Sequence, residues 1–218
     1  MKKKLKKRIK TDEFVNLIKK LLELFTSYRR ELLIGAVAIA LLTLVFVSIK
    51  TIQGIQAHKQ SDLLGQILIL EEELKTDSSK LGELEQLGSK SKYGRLAYLK
   101  AATYNFEMGN ADRALDTLQQ IPASKKDLIY YQSRDLLGQI YFLQKKYDDA
   151  LTIFEEMERD RPKAYAMDIV LYRKAQVLAA RNDIDLAIAA YTRLQEEFPG
   201  SYFGSQAPAE ILKLEQKK

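Results

Sequence analysis

The residues able to carry out chemistry are few in this chain, and their spacing is not typical of a catalytic site. His58 is the only histidine, and the chain has no cysteine, which leaves no thiol chemistry and no metal-ligand spacing. No glycine-rich phosphate-binding loop occurs. The acidic runs at residues 71–73 and 155–156 are typical of solvated helix faces. We therefore expect no catalytic, cofactor-binding or metal-binding residues and predict a non-enzyme; an activity lost in His58→Ala would overturn this prediction.

The longest apolar stretch of the chain covers residues 32–49 and contains neither a charge nor a proline. As a helix it would be about 27 Å long, close to the hydrocarbon thickness of a bilayer of about 30 Å. A buried core helix is the alternative, but such helices usually keep a polar side. The pattern predicts a single transmembrane helix over residues 32–50.

Charge is distributed unevenly around this apolar stretch. The net charge of the chain is +6, but residues 1–30 hold eight Lys and three Arg against three acidic residues, a net +8 that leaves about −2 for the rest. Only three Lys occur in residues 50–79. The positive-inside rule then predicts a cytoplasmic N-terminus and an exported segment from residue 51 onward. The apolar stretch is too long for a cleaved signal peptide, so we interpret it as a signal anchor.

The residues before the anchor have the pattern of an amphipathic helix that lies on the membrane surface. Thr11 is a candidate N-cap, and apolar residues then recur at steps of three and four: Phe14, Leu17, Ile18, Leu21, Leu22, Phe25 and Tyr28. We interpret residues 1–31 as a cytoplasmic basic segment with an interfacial helix that binds anionic lipid, and we expect no nucleic acid as a partner.

Helical periodicity continues beyond the anchor. It predicts a stalk helix to about Leu74, a break at residues 76–79 and a short helix over residues 81–87 that ends at Gly88, with Tyr93 opening the next element. Residues 51–92 would thus form a stalk and an N-terminal capping half-repeat.

A repeat follows, because three similar segments place Ala114, Ala150 and Ala187 at intervals of 36 and 37 residues. That period is typical of arrays of helical hairpins. The middle copy resembles the tetratricopeptide repeat at all of the characteristic positions, which are Gly138, Tyr141, Ala150, Phe154 and Pro162. The first copy keeps Ala102, Ala114 and Leu118, and the third keeps Ala175, Ala187, Tyr191 and Pro199.

The repeat predicts an all-α fold: one N-terminal transmembrane helix, then an α-solenoid of about three hairpins over residues 93–218 with capping helices. A final helix after Pro199 should cap the array as far as Leu214, and Pro208 should start or kink a helix there.

Stacked hairpins present their first helices on a concave face, which is the expected partner-binding surface. Leu99, Asp135 and Tyr172 stand where some repeat domains use lysines to clamp a carboxylate, so that mode of binding is excluded. An apolar segment of another protein, extended or helical, suits the face better, although several of its residues could instead pack against the stalk or cap. The predicted surface comprises Leu96, Leu99, Thr103, Phe106, Gln132, Asp135, Gln139, Phe142, Ile169, Tyr172, Gln176 and Ala179.

The order of the predicted segments resembles that of the YfgM-type ancillary proteins of the bacterial Sec translocon. These segments are a basic N-terminus, an interfacial helix, one membrane span, and a half-repeat that includes Leu84 and residues 94–97 before the hairpins. The resemblance implies an inner-membrane protein with a periplasmic repeat domain. Its partners would be the translocon, a membrane-anchored chaperone and emerging polypeptides. The alternative is a structural adaptor or scaffold subunit of a large envelope assembly, such as a motility or secretion apparatus.

Overall fold

The computed structural model describes residues 15–20, 26–90, 94–123 and 125–217, and within them the regular secondary structure is helical. These residues belong to two compact units, Met1–Gln60 and Ser61–Lys218. The long helices are α1 (Arg29–Leu74), α2 (Lys80–Lys90), α3 (Arg95–Glu107), α4 (Ala111–Gln119), α5 (Leu128–Leu143), α6 (Tyr147–Asp160), α7 (Met167–Ala180), α8 (Ile184–Glu197) and α9 (Tyr202–Glu215). The predictions of an all-α fold and of a long apolar helix near the N-terminus are confirmed.

The first unit contains the apolar part of α1. Residues 32–49 are helical and none of them is buried, and this is the one helix of the described residues that is long and apolar enough to cross a membrane. Residues 15–20 are also helical, and the amphipathic interfacial helix that was predicted around them stays a prediction. Its predicted start at Thr11, and the residues Phe14, Leu21, Leu22 and Phe25, lie outside the described residues.

The second unit is a solenoid of helical hairpins. The two helices of each hairpin are in contact: α3 with α4, α5 with α6, and α7 with α8. Contacts between successive hairpins join α3 with α5 and α5 with α7, and α7 is in contact with α9. At the N-terminal end, Ile67 and Leu74 from the last turns of α1 are buried with Leu84 of α2 and Ala97 of α3. The end of α1 therefore covers the first repeat, as a terminal solenoid element must do.

Small residues allow the two helices of each hairpin to approach closely. Ala114, Ala150 and Ala187 are all fully buried. A Cβ atom placed on Gly138 would lie only 2.5 Å from the Cζ atom of Phe154, so the helices of the middle hairpin meet at a position where no side chain fits. The alanine period read from the sequence thus has a packing cause.

The turns inside the three hairpins share one geometry. Gly109, Lys145 and Asn182 have positive φ angles of 78°, 59° and 72°, and they follow each other at the same 36- and 37-residue interval. The N–H group of the residue after each of them donates to a carbonyl five residues earlier, as from Lys146 to Tyr141 at 2.9 Å. This left-handed helix end reverses the chain within a few residues and brings each second helix back along the first.

Three local predictions need correction or fall outside the description. Helix α2 continues past Gly88 to Lys90; a Cβ on Gly88 would lie 2.7 Å from the ring of Tyr98, so this glycine permits helix packing and does not end a helix. Pro208 lies inside α9, which begins at Tyr202 after the N-cap Ser201, so of the two predicted roles it does not start the helix, and a kink at Pro208 stays a prediction. Tyr93 lies outside the described residues, and α3 begins at Arg95.

Candidate protein-binding groove

The first helices of the hairpins, α3, α5 and α7, line a groove on one face of the second unit. Its larger cavity has a volume of about 470 Å³ and combines apolar and polar side chains. The lining residues are Leu99, Lys100, Thr103, Phe106, Glu107, Gln132, Asp135, Leu136, Gln139, Tyr165 and Ile169. We call this the polar cavity.

A second, smaller cavity adjoins it. Its volume is about 150 Å³, and Phe106 and Gln139 line both cavities. The other lining residues are Phe142, Leu143, Phe154, Arg173, Gln176 and Val177. We call this the apolar pocket. Three phenylalanines in one small pocket provide a surface suited to a large apolar side chain.

A buried carboxylate lines the polar cavity. Asp135 is only 8% exposed, and its Oδ2 atom accepts a hydrogen bond of 2.7 Å from the side-chain amide of Gln139. The Nε atom of Arg173 lies 3.8 Å from Oδ1, which accepts no hydrogen bond from the described protein groups. Burial raises the pKa of Asp135, although Arg173 and hydrogen bonds with Tyr165 and Gln139 oppose this shift. The Oδ1 atom is itself inaccessible to solvent, so the carboxylate links α5 to Arg173 of α7 and offers no free acceptor to a ligand.

Most residues of the predicted surface lie along this groove. Helix α3 contributes Leu99, Thr103 and Phe106, helix α5 contributes Gln132, Asp135, Gln139 and Phe142, and helix α7 contributes Ile169 and Gln176. Their exposure differs: Gln132 is exposed, whereas Leu99 is 5% exposed and belongs mainly to the core. The structure thus brings these residues together, and their role in binding stays a prediction.

Three residues of that surface lie outside both cavities and make packing contacts. Tyr172 lies against the rings of Tyr191 and Phe203, with centroids 5.9 and 4.5 Å apart. Leu96 packs against the buried residues around α3, and Ala179 packs against the core of the last two hairpins. Tyr172 consequently helps to hold the capping helix α9 in place.

The groove also contains residues that sequence reasoning did not select. Arg173 follows Tyr172 on α7, and only the reach of its side chain brings it to Asp135. Tyr165 lies in the turn before α7, where no periodic pattern exists to reveal it. Leu143 directly follows Phe142 and is 61% exposed; in the sequence its one signal was an apolar residue directly before the polar turn at residues 144–146.

Ion pairs on the outer side hold the hairpins that build the groove. Glu158 on α6 accepts hydrogen bonds from Lys174 on α7, at 2.9 Å, and from Arg193 on α8. Burial alone would raise the pKa of Glu158, but these two cationic partners lower it overall. The carboxylate therefore links three consecutive helices in its ionised form.

A larger cleft of about 580 Å³ lies between α2, α3 and α4, away from the groove. Its lining is mostly polar and includes Glu85, Gln86, Arg113 and Asp116, with Tyr98 as its one aromatic residue. Size alone does not make a binding site; convergent apolar groups around a few polar ones do. The groove meets this condition and the cleft does not.

Comparisons with known proteins agree with this architecture. A family model described as a tetratricopeptide repeat-like domain matches residues 23–209. A protein of Aquifex aeolicus (strain VF5) that is described as uncharacterized is 27% identical over 92 residues, which are 41% of this chain and 49% of that protein. The match thus spans about half the length of that relative. No solved structure matches the chain.

Proposed function

The chain belongs to the tetratricopeptide repeat-like domain family, and we propose that it is a membrane-anchored, non-enzymatic module that binds other proteins through its concave groove. Repeat domains of this kind generally serve as interaction modules and not as enzymes. The single observation that carries the proposal is that an apolar pocket and a larger polar cavity adjoin along the first helices of the hairpins and share Phe106 and Gln139 in their linings. Such a groove suits an apolar segment of a partner.

The place of action follows from the anchor. Residues 32–49 form the membrane span, the basic N-terminus contacts anionic lipid on the cytoplasmic side, and the repeat unit works on the periplasmic side of a bacterial inner membrane. There it acts as an accessory or chaperone-like factor near the secretion translocon, with the translocon or a membrane-anchored chaperone as its partner. The apolar stretch, the charge asymmetry and the resemblance to YfgM-type proteins support this proposal.

Site-specific photocrosslinking in intact membranes tests the proposal. A photoreactive residue at Gln132, which is exposed and lines the polar cavity, should capture partner proteins. The same residue at Gln195, which is exposed on α8, should capture fewer. Phe142→Ala should weaken capture at Gln132, typically by more than about 1 kcal/mol for an anchoring aromatic residue.

Two controls separate binding from folding. Glu155 is exposed on α6, and Glu155→Ala should change neither capture nor the melting temperature. Tyr147 is unsuitable as a control because its ring lies 6.0 Å from that of Phe142. If Phe142→Ala leaves capture intact in a folded protein, the groove is not the binding site.

A scaffold subunit of an envelope assembly is the second candidate. It is favoured by apolar side chains on the last turns of α1, where Leu64, Leu68 and Ile69 are 45%, 52% and 60% exposed. A scaffold would hold one folded partner at fixed stoichiometry, whereas an accessory factor would bind many unfolded clients weakly. Crosslinking from Leu68 that yields a single partner, with none captured from Gln132, would favour the scaffold.

A further inference from the structure

The groove offers no unmatched buried charge to a partner. The charged side chains that line its two cavities balance: Lys100 and Arg173 against Glu107 and Asp135. Lys100 donates a hydrogen bond of 2.6 Å to Glu71, and Asp135, whose Oδ1 atom is inaccessible to solvent, lies beside Arg173. Glu107 is exposed, so water screens any ion pair with it. A charged side chain of a partner would therefore lose its hydration in the groove without compensation.

Uncharged polar side chains form a row across the same groove. Thr103, Gln139 and Gln176 occupy the same register position on α3, α5 and α7, at the 36- and 37-residue intervals of the repeat. Thr103 lines the polar cavity, Gln176 lines the apolar pocket, and Gln139 lines both. Because α5 is in contact with both α3 and α7, the row passes from one hairpin to the next.

The two glutamines of this row each keep one amide atom for a ligand. The Nε2 atom of Gln139 donates to Asp135, which leaves its Oε1 atom as an acceptor. The Oε1 atom of Gln176 accepts a hydrogen bond of 3.4 Å from Arg173, which leaves its Nε2 atom as a donor. Neither remaining atom is among the buried atoms that lack a partner within the described residues, so both reach solvent. An acceptor and a donor thus lie on neighbouring helices beside the apolar pocket.

This pair of amide atoms complements a peptide group, which has one N–H donor and one C=O acceptor. An extended segment has both groups available, whereas a helix has already paired them internally. The apolar pocket, with a volume of about 150 Å³, accepts a side chain as large as a benzene ring, since apolar cavities of about this volume do so. The groove therefore fits a backbone in extended form together with one large apolar side chain.

We propose that the groove selects uncharged, extended polypeptide segments that carry a leucine or phenylalanine anchor. The anchor enters the apolar pocket, the Oε1 atom of Gln139 accepts from a backbone N–H group, and the Nε2 atom of Gln176 donates to a backbone carbonyl. This inference rests on the proposed function of the groove, because it names the class and the conformation of the segment bound there. Contacts with the backbone do not depend on the side chains of the segment, so different sequences of this class bind in the same way.

Binding of synthetic peptides to the full chain in nanodiscs of neutral lipid tests the selection against charge. The probe is a fluorescein-labelled serine–glycine peptide with one central phenylalanine, followed by fluorescence anisotropy. In an extended chain the residues two positions from phenylalanine lie on its side, and the adjacent residues lie on the other. Lysine or glutamate two positions away should each weaken binding about fivefold or more, and the same residue one position away about twofold or less. Undiminished binding of the lysine or the glutamate peptide overturns the selection against charge.

Ester bonds in the peptide test the recognition of the backbone, because each ester removes one N–H group. At one or more positions near phenylalanine an ester should weaken binding about threefold to tenfold, as expected for one hydrogen bond. A peptide stapled as a helix around the same phenylalanine should bind more weakly than the extended peptide. The absence of any sensitive position, or equal or tighter binding of the helical peptide, overturns the inference.

A protein variant assigns the backbone contact to the row of amides. Gln176→Glu keeps the shape of the side chain but replaces its donor by an oxygen, and it should weaken the phenylalanine peptide about threefold or more. Gln195→Glu is the matched control, since Gln195 is exposed on α8 and lines neither cavity. Gln139 stays unchanged because its amide also stabilises the buried Asp135. Equal affinities of Gln176→Glu and Gln195→Glu overturn the assignment.

A second variant separates this inference from the proposed function. Leu143→Asp places a charge at the rim of the apolar pocket and should weaken every phenylalanine peptide about tenfold. Leu186→Asp is its matched control, since Leu186 is 58% exposed against 61% for Leu143 and lines neither cavity. Weakening by Leu143→Asp without any effect of peptide charge, esters or Gln176→Glu leaves the groove as the site and refutes only the selection of uncharged extended segments. No effect of Leu143→Asp, or no peptide binding at about 1 mM, refutes both.

Discussion

Replacement of Asn105 by leucine should stabilise the protein. Asn105 is fully buried at the register position where the middle repeat has Tyr141, and neither side-chain atom, Nδ2 or Oδ1, hydrogen-bonds a described protein group. A buried polar group without a partner destabilises by about 1–3 kcal/mol, and leucine has the same number of side-chain heavy atoms. In a domain of 150–250 residues, 1 kcal/mol shifts the melting temperature by about 2–4 °C. Asn105→Leu should therefore raise the melting temperature by about 6 °C, the midpoint of these ranges.

The assay is thermal unfolding of the full chain in detergent, followed by circular dichroism. Asn110→Leu is the matched control, because Asn110 is exposed and its side chain makes no capping hydrogen bond. An exposed substitution of this kind should change the stability by less than about 0.5 kcal/mol. A melting temperature of Asn105→Leu at or below that of the unmodified protein would refute the reasoning, since it would show that the amide contributes favourable hydrogen bonds in the folded state.

Three further predictions concern the repeat unit. Lys145→Gly should raise the free energy of unfolding by about 0.5–1 kcal/mol in a urea titration, because Lys145 is exposed and holds a left-handed φ of 59° that glycine adopts more easily; a decrease would contradict this account. Ala150→Leu should cost about 1–3 kcal/mol, because Ala150 is fully buried where two helices cross; an unchanged melting temperature would mean that the helix register is wrong. The pKa of Glu158 is lower in the folded protein than its value of about 4.5 in the unfolded chain. The ion pairs of Glu158 therefore stabilise the fold fully at a pH above the unfolded pKa, and this stabilisation is lost as the pH falls through the folded pKa. Acid should therefore lower the melting temperature of the unmodified protein more than that of Glu158→Gln, and equal losses would exclude the Glu158 ion pairs as the cause.

The fold could be predicted from the sequence because its signals are local and repeated. The alanines at 114, 150 and 187 mark helix crossings that every hairpin needs, so three copies of the same constraint reinforce each other. The apolar stretch at residues 32–49 is equally local, since its length and lack of charge alone indicate a helix that could span a bilayer. Helix periodicity also placed the end of α1 at Leu74.

The groove could be predicted only in part. Repeat register assigned Phe106, Gln139 and Phe142 to one face, because residues at equivalent positions of stacked helices point in the same direction. Register says nothing about how deeply a side chain lies below its neighbours. Leu99 and Asp135 occupy groove positions and are nevertheless buried.

Tertiary structure decided the properties that depend on contacts between distant residues. Asp135 interacts with Arg173 and Tyr165, which come from other parts of the chain. Tyr172 is a packing residue because α9 places Phe203 against its ring. Gly88, which reads as a helix end, lies within a helix, at a position where Tyr98 of the next helix occupies the space of a side chain. Local pattern therefore determined which residues are helical and which faces are apolar, whereas burial and charge pairing were decided by the packing of helices that are far apart in sequence.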